Sequence, residues 1–260
     1  MKRVLLTGIN GTVAQVMKKE LGTKYDISGL SIPRIDGLLA EGRSTWKELL
    51  DAYRDRVSAE LTAACSGVDA VVHLGWNTID ENWQGGLDPL NIAVVDCVYR
   101  VAITEQVPRI YMASSVHAYD CMDGDFNPDV AIPPHPDTRR DPFGLGASSL
   151  YGVSKRWMEI AGQYYAKRLQ PGQKILAVRL GGVGRAERPG APNRFWDSHR
   201  DCAGLLEAFI ECGGDAPNYC TVFGVSDNRS PEHQEPMFNP VNPYGFRPAD
   251  NSYNLDYEES

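Results

Sequence analysis

The chain has 260 residues and a formal net charge of −8, from 26 Lys and Arg against 34 Asp and Glu. That length can bury one full core with room for a small second lobe, and the apolar and charged fractions are those of a soluble globular protein. The acidic balance and the lack of a long basic run exclude nucleic acid and an anionic membrane surface as expected partners, and no apolar run is long enough to span a bilayer.

The six cysteines (65, 97, 121, 202, 212 and 220) are scattered, with no Cys-x-x-Cys pair and no His/Cys cluster of zinc type. They read as reduced thiols, so the expected setting is cytoplasmic and no metal site is expected. Met1-Lys2-Arg3 leads into Val4-Leu5-Leu6-Thr7, a short apolar strand of the kind found at the centre of a parallel sheet, rather than into a signal peptide.

The strand runs into Gly8-Ile9-Asn10-Gly11-Thr12-Val13-Ala14, and then into a helical stretch with Val13, Val16, Met17 and Leu21 on one face. Strand, glycine turn and helix in this order open a dinucleotide-binding βαβ unit. Gly8 permits the tight turn, Gly11 lets the backbone approach a pyrophosphate, and the helix N-terminus faces the phosphates. The expected cofactor contacts here are Gly8, Asn10, Gly11, Thr12 and Val13; the alternative is a tight loop of some other α/β protein. A second strand is expected at 25–30. Its tip, Ser31-Ile32-Pro33-Arg34, lacks the acid that binds the adenosine ribose in NAD-specific units. Ser31 and Arg34 suit a 2′-phosphate and slightly favour NADP over NAD, unless Arg34 is a solvated loop charge.

An amphipathic helix is predicted over 46–64, and a buried strand over 68–75 that brings Leu74 and Gly75 to its carboxyl end, where ligands of doubly wound sheets sit. His73 reads as a packed strand residue. A long helix follows from Pro89 to Glu105, with Asn91 near its start as either a helix-start residue or a polar group facing the crevice. The strand Arg109–Ser115 ends in two serines, which either reach that crevice or cap the next turn. Residues 120–147, rich in Pro, Asp and Gly, are expected to form a long loop over the carboxyl edge, a lid or substrate loop. Next comes Ser149-Leu150-Tyr151-Gly152-Val153-Ser154-Lys155. On a helix Tyr151 and Lys155 share a face one turn apart, and an ammonium beside a phenol favours the phenolate. Another buried strand, 174–180, is followed by Gly181-Gly182-Val183-Gly184. The pattern predicts an α/β, doubly wound parallel sheet of Rossmann type over 1–184. Residues 185–260 are expected to form a small substrate-binding lobe and irregular tail packed on the same domain.

The glycine turn, the serine pair and the Tyr-x-x-x-Lys run together resemble the extended short-chain dehydrogenase/reductase superfamily, in its epimerase/dehydratase branch. Within that branch the chain is most similar to the uronate dehydrogenases and related sugar dehydrogenases. The matching runs are Ala113-Ser114-Ser115-Val116-His117, 149–155, Val178-Arg179-Leu180-Gly181 and Trp196-Asp197-Ser198-His199-Arg200-Asp201-Cys202. The resemblance implies Ser115, Tyr151 and Lys155 as the catalytic group, with Tyr151 and Lys155 also contacting the nicotinamide ribose and Asn91 beside the site. It implies Thr78, Ser115, Val116, His117, Tyr151 and Arg179 as the substrate side, the arginine pairing with a carboxylate. Val116 stands where uronate dehydrogenases carry Asn, which removes a polar substrate contact; Arg179 would otherwise be salt-bridged within the protein. The expected activity is hydride transfer between NADP or NAD and a hydroxyl or carbonyl of a sugar, sugar acid or similar small compound. The competing readings are a nucleotide-sugar epimerase or dehydratase that retains its NAD, and a non-enzymatic cofactor sensor. The resemblance also implies a homodimer through the two long helices.

Overall fold

The computed structural model of the chain describes residues 1–32, 45–76, 89–118, 147, 149–232, 234 and 242–257. Its strands are β1 (Arg3–Thr7), β2 (Asp26–Leu30), β3 (Ala70–His73), β4 (Arg109–Ser115), β5 (Lys174–Leu180) and β6 (Tyr219–Gly224). The helices are α1 (Thr12–Leu21), α2 (Trp46–Cys65), α3 (Pro89–Thr104), α4 (Leu150–Ala166) and α5 (His199–Glu211). All strand pairs are parallel, in the order β2-β1-β3-β4-β5-β6. The chain steps outward from β1 to β2 and then returns to β3 on the other side of β1. The crevice at that reversal, outside the carboxyl ends of the strands, is where ligands of such sheets bind.

Alternation along the strands divides the core into two layers. Leu5, Val71, Ile110, Met112 and Ile175 face α2, α3 and α4, meeting Tyr53, Val57, Val98, Tyr99 and Met158. Val4, Leu6, Val72, Tyr111, Leu176 and Val178 face α1 and α5, meeting Met17, Leu21, Leu206 and Phe209. Both sheet faces are thus covered, which is why the strands read as near-continuous apolar runs rather than alternating ones.

Residues beyond 184 contribute β6 and α5 to this same sheet and its helical layer. The described part of the C-terminal segment is mostly irregular and is tied down by side chains. Asp201, in the first turn of α5, accepts the backbone N–H groups of Ala249 and Asp250 at 3.0 and 2.9 Å. Ser252, fully buried, donates to the Asn193 carbonyl and takes its N–H in return.

Candidate active site

The first turn is built by close backbone approach. Gly8 has φ +68°, and a Cβ there would lie 2.6 Å from the Gly75 Cα. A Cβ on Gly75 would in turn meet the Ile32 side chain at 2.3 Å. The turns after β1 and β3 therefore touch, and only glycine fits either position. Thr7, the last residue of β1, holds them together: the N–H groups of Leu74 and Gly75 donate to its hydroxyl at 3.3 and 3.4 Å. That hydroxyl also bonds His73 Nδ1 at 2.8 Å. Gly11 is the N-cap of α1 and supplies no side-chain cap, so no side chain at the cap stands between the helix N-terminus and a phosphate. Asn10 donates its amide to the Ser31 hydroxyl at 3.1 Å, linking the turn to the tip of β2. This cradle fits a dinucleotide: it has room where side chains would stand and a helix dipole aimed at the gap. Arg34 and Thr78 lie outside the described residues.

The other half of the crevice is formed by β4 and α4. Ser149 caps α4, its hydroxyl accepting the Gly152 N–H at 3.1 Å. A Cβ on Gly152 would meet the His117 carbonyl oxygen at 2.1 Å, so α4 starts directly on the turn that follows β4. This contact brings Ser115, His117, Tyr151 and Lys155 together. Ser115 is buried and its hydroxyl accepts the His117 N–H at 3.2 Å. A hydrogen bond joins the Ser115 and Tyr151 side chains. The His117 ring meets the Tyr151 ring edge-on at 6.1 Å. Lys155 is 4% exposed and donates to the Ala113 carbonyl at 2.6 Å, with its Nζ 5.7 Å from the centre of the Tyr151 ring. The Trp76 ring lies against the same ammonium, 3.8 Å from Nζ to ring centre. Val116 is buried and apolar, and Asn91 is buried at the start of α3.

Burial sets the ionisation of this group. Desolvation pushes the Lys155 ammonium down to about 7. The Tyr151 phenol is raised by burial, only partly offset by its bond to Ser115. The expected lowering of the phenol by Lys155 is thus absent at this separation: the ammonium is itself desolvated and donates to the Ala113 carbonyl. His73 is fully buried, pushed down to about 3 by burial and then by the Lys155 charge, and its Nε2 has no partner among the described residues.

Of the two readings of Arg179, a partner for a substrate carboxylate or a salt bridge within the protein, the structure shows the salt bridge. Arg179 Nε and Nη2 both donate to Glu159, each at 2.8 Å, and both residues are buried. The fork meant for a carboxylate has found one inside the protein, on α4. Sequence reasoning also passed over Thr7 and Glu159. The signal for Glu159 was its position one turn beyond Lys155 on the same helical face, and that for Thr7 was a hydroxyl at the end of an otherwise apolar strand.

Comparison with known proteins agrees with this architecture. The profile of the NAD dependent epimerase/dehydratase family matches residues 4–200. An NAD-dependent glucose-6-phosphate dehydrogenase of Haloferax volcanii is 30% identical over 98% of this chain and 96% of its own. An L-arabinose 1-dehydrogenase (NAD(P)(+)) of the same organism is 27% identical over 97% of this chain and 98% of its own. The crystal structure of uronate dehydrogenase from Agrobacterium tumefaciens superposes with a TM-score of 0.64 at 23% identity, covering 97% of this chain and 86% of that one, and shows the shared fold. With its glycine cradle, its parallel sheet and a family match across three quarters of its length, the chain belongs to the NAD-dependent epimerase/dehydratase family.

Proposed function

We propose that the chain is an NAD(P)-dependent oxidoreductase acting on a hydroxyl or carbonyl carbon of a sugar or sugar acid. The observation that carries this reading is the joining of Ser115 and Tyr151 beside a buried Lys155, at the end of a crevice whose other half fits a dinucleotide. A nicotinamide cofactor bound there supplies hydride chemistry. Gly8, Gly11, Thr12 and Val13 would hold its pyrophosphate, Leu74 and Gly75 the middle of the crevice, and Tyr151 and Lys155 its nicotinamide end.

The chain's own residues do the proton work. Ser115 and Tyr151 grip the reacting oxygen, and Tyr151 takes the hydroxyl proton in oxidation or returns it in reduction. The raised phenol is poised as an acid. A cationic neighbour brought close by ligand binding would shift it toward the phenolate that oxidation needs. His117, edge-on to Tyr151, and Val116 form the substrate side. One polar and one apolar neighbour suit a neutral aldose better than a uronate, because Arg179 is engaged by Glu159.

Three finer features follow the same reading. NADP is slightly favoured, supported by the hydroxyl of Ser31 and the absence of a carboxylate from Leu30 to Ile32. The stretch after Gly184 closes the substrate side of the crevice, supported by the return of Trp196 to pair with Gly182 just past β5. A homodimer through α4 is supported by exposed Leu150, Val153, Ile160 and Tyr164, spaced three and four residues apart with Trp157 between them.

The test is nicotinamide absorbance with NAD and NADP across aldoses, aldose phosphates, uronates and ketones. Substrate-dependent formation of reduced cofactor is expected, with NADP giving the higher kcat/KM. Tight cofactor binding with no net redox change on any compound would favour an epimerase instead.

A further inference from the structure

Helix α4 carries a third buried polar side chain in line with Tyr151 and Lys155. Glu159 follows at i+8, on the same face, and is 2% exposed. Its Oε1 accepts from the Ser114 hydroxyl and from Arg179 Nε, both at 2.8 Å. Its Oε2 accepts from Arg179 Nη2 at 2.8 Å and from Arg156 Nη1 at 2.9 Å. Arg179 on β5 is the register partner of Ser114 on β4, so one carboxylate ties α4 to both strands at a single level.

The pairing along β4 is one to one. Three consecutive residues of the strand each meet one of the three residues of the helix face: Ala113 the ammonium of Lys155, Ser114 the carboxylate of Glu159, and Ser115 the phenol of Tyr151. The backbone of α4 is pinned at the same level, with Tyr99 donating to the Met158 carbonyl at 3.1 Å and Tyr219 to the Glu159 carbonyl at 2.9 Å. A helix can slide by 1.5 Å or turn by about 100° for each residue of slip. A carboxylate with both oxygens doubly bonded to two strands and its own helix resists both motions. Burial pushes the Glu159 carboxyl up, but the charge and hydrogen bonds of Arg179, with Arg156 and Ser114, hold it below its ordinary value. It remains an acceptor across the working pH range.

We propose that Glu159 is a positioning residue for the reaction: by clamping α4 to Ser114 and Arg179 it fixes the distance of Tyr151 and Lys155 from Ser115. This rests on the oxidoreductase reading given above. Among the described residues both carboxylate oxygens are taken up by Ser114, Arg156 and Arg179, so it is placed to act through Tyr151 and Lys155. Displacements of about 1 Å at a reacting group can cost on the order of a hundredfold in rate.

The experiment compares kcat, the sugar KM and cofactor affinity of the full chain and its variants. D-glucose 6-phosphate, L-arabinose and D-glucuronate serve as probes with NAD and NADP, and Tyr151→Phe is run in parallel. Glu159→Gln should lower kcat by roughly ten- to a hundredfold, while the sugar KM and the cofactor Kd stay within about twofold. Ser114→Ala leaves the ion pair in place and removes only one hydrogen bond, so it should fold normally; its kcat should still fall by about threefold. Glu159→Gln combined with Arg179→Met leaves no unpaired buried charge, and should recover melting temperature without recovering kcat. Unaltered kcat in Ser114→Ala or in folded Glu159→Gln, or a kcat that returns with stability in the paired variant, would overturn the proposal. Full turnover by Tyr151→Phe would instead overturn the oxidoreductase reading. So would no turnover of any probe by the unaltered chain, and the positioning role would fall with it.

Discussion

The two halves of the crevice are built in opposite ways. The turn after β1 is made of backbone: Gly8 at positive φ, Gly75 in contact with it, and a helix N-terminus with no side-chain cap. Its side-chain bond to the tip of β2, from Asn10 to Ser31, is exposed. The junction of β4 and α4 is made of buried ionisable side chains, Lys155 and the ion pair of Glu159 with Arg179, each residue less than 5% exposed. One half is specified by side chains that are missing, the other by charges that must be paired. Added bulk should therefore damage the first, and loss of charge the second.

The largest effect should come from unpairing the buried charges. Glu159→Ala strands Arg179, and breaking a buried pair from one side costs about 3–5 kcal/mol. Thermal unfolding should shift down by roughly 6–20 °C for a chain of this size; a shift of a degree or less would show that the pair contributes little. At the other half, Gly8→Ala adds a methyl where φ is +68° and a backbone atom lies 2.6 Å away. Strain of about 2–3 kcal/mol is expected, read as a lower melting temperature together with weakened cofactor binding. An unchanged melting temperature would mean that the turn has room to give.

His73 is where the halves meet, bonded to Thr7 on one side and within reach of the Lys155 charge on the other. Its folded pKa, about 3, lies below the ordinary value of 6.5. Its contribution to stability is therefore complete above pH 6.5 and is lost as pH falls toward 3. Chemical denaturation at pH 7 and pH 5 should differ by about 2 kcal/mol from this residue, and His73→Gln should flatten that difference. An identical slope in the variant would assign the acid sensitivity to other groups. The smallest effect should be at the exposed bond of the first half. Ser31→Asp supplies the missing ribose acid and should move cofactor preference toward NAD by about tenfold, near 1.4 kcal/mol. Competitive titration with the two oxidised cofactors measures it, and an unmoved ratio would remove Ser31 from cofactor selection.

The same contrast explains what could be read from the residues alone. The expected helix Pro89–Glu105 and the strands ending at Thr7, Leu30, Ser115 and Leu180 are present to within a residue, because apolar runs between glycine turns report directly on a sheet covered on both faces. The strand expected over 68–75 is shorter, Ala70–His73, because Leu74 and Gly75 turn to meet Thr7 and Gly8. A backbone-built cradle is legible because glycine spacing is the structure. Side-chain pairing between distant elements is not: nothing in the run Val178-Arg179-Leu180 says that Glu159, twenty residues earlier, will take the guanidinium. The neighbours of Tyr151 were partly legible for the same reason. The spacing to Lys155 is local, whereas the burial that raises the phenol depends on the whole fold.

The most direct measurement is a comparison of the unaltered chain with Tyr151→Phe, following nicotinamide absorbance during sugar oxidation and cofactor binding by Trp fluorescence. If Tyr151 moves the proton, turnover should fall by about a hundredfold or more while cofactor affinity changes little. Turnover retained at the unaltered rate would contradict the central role assigned to the Ser115–Tyr151–Lys155 group.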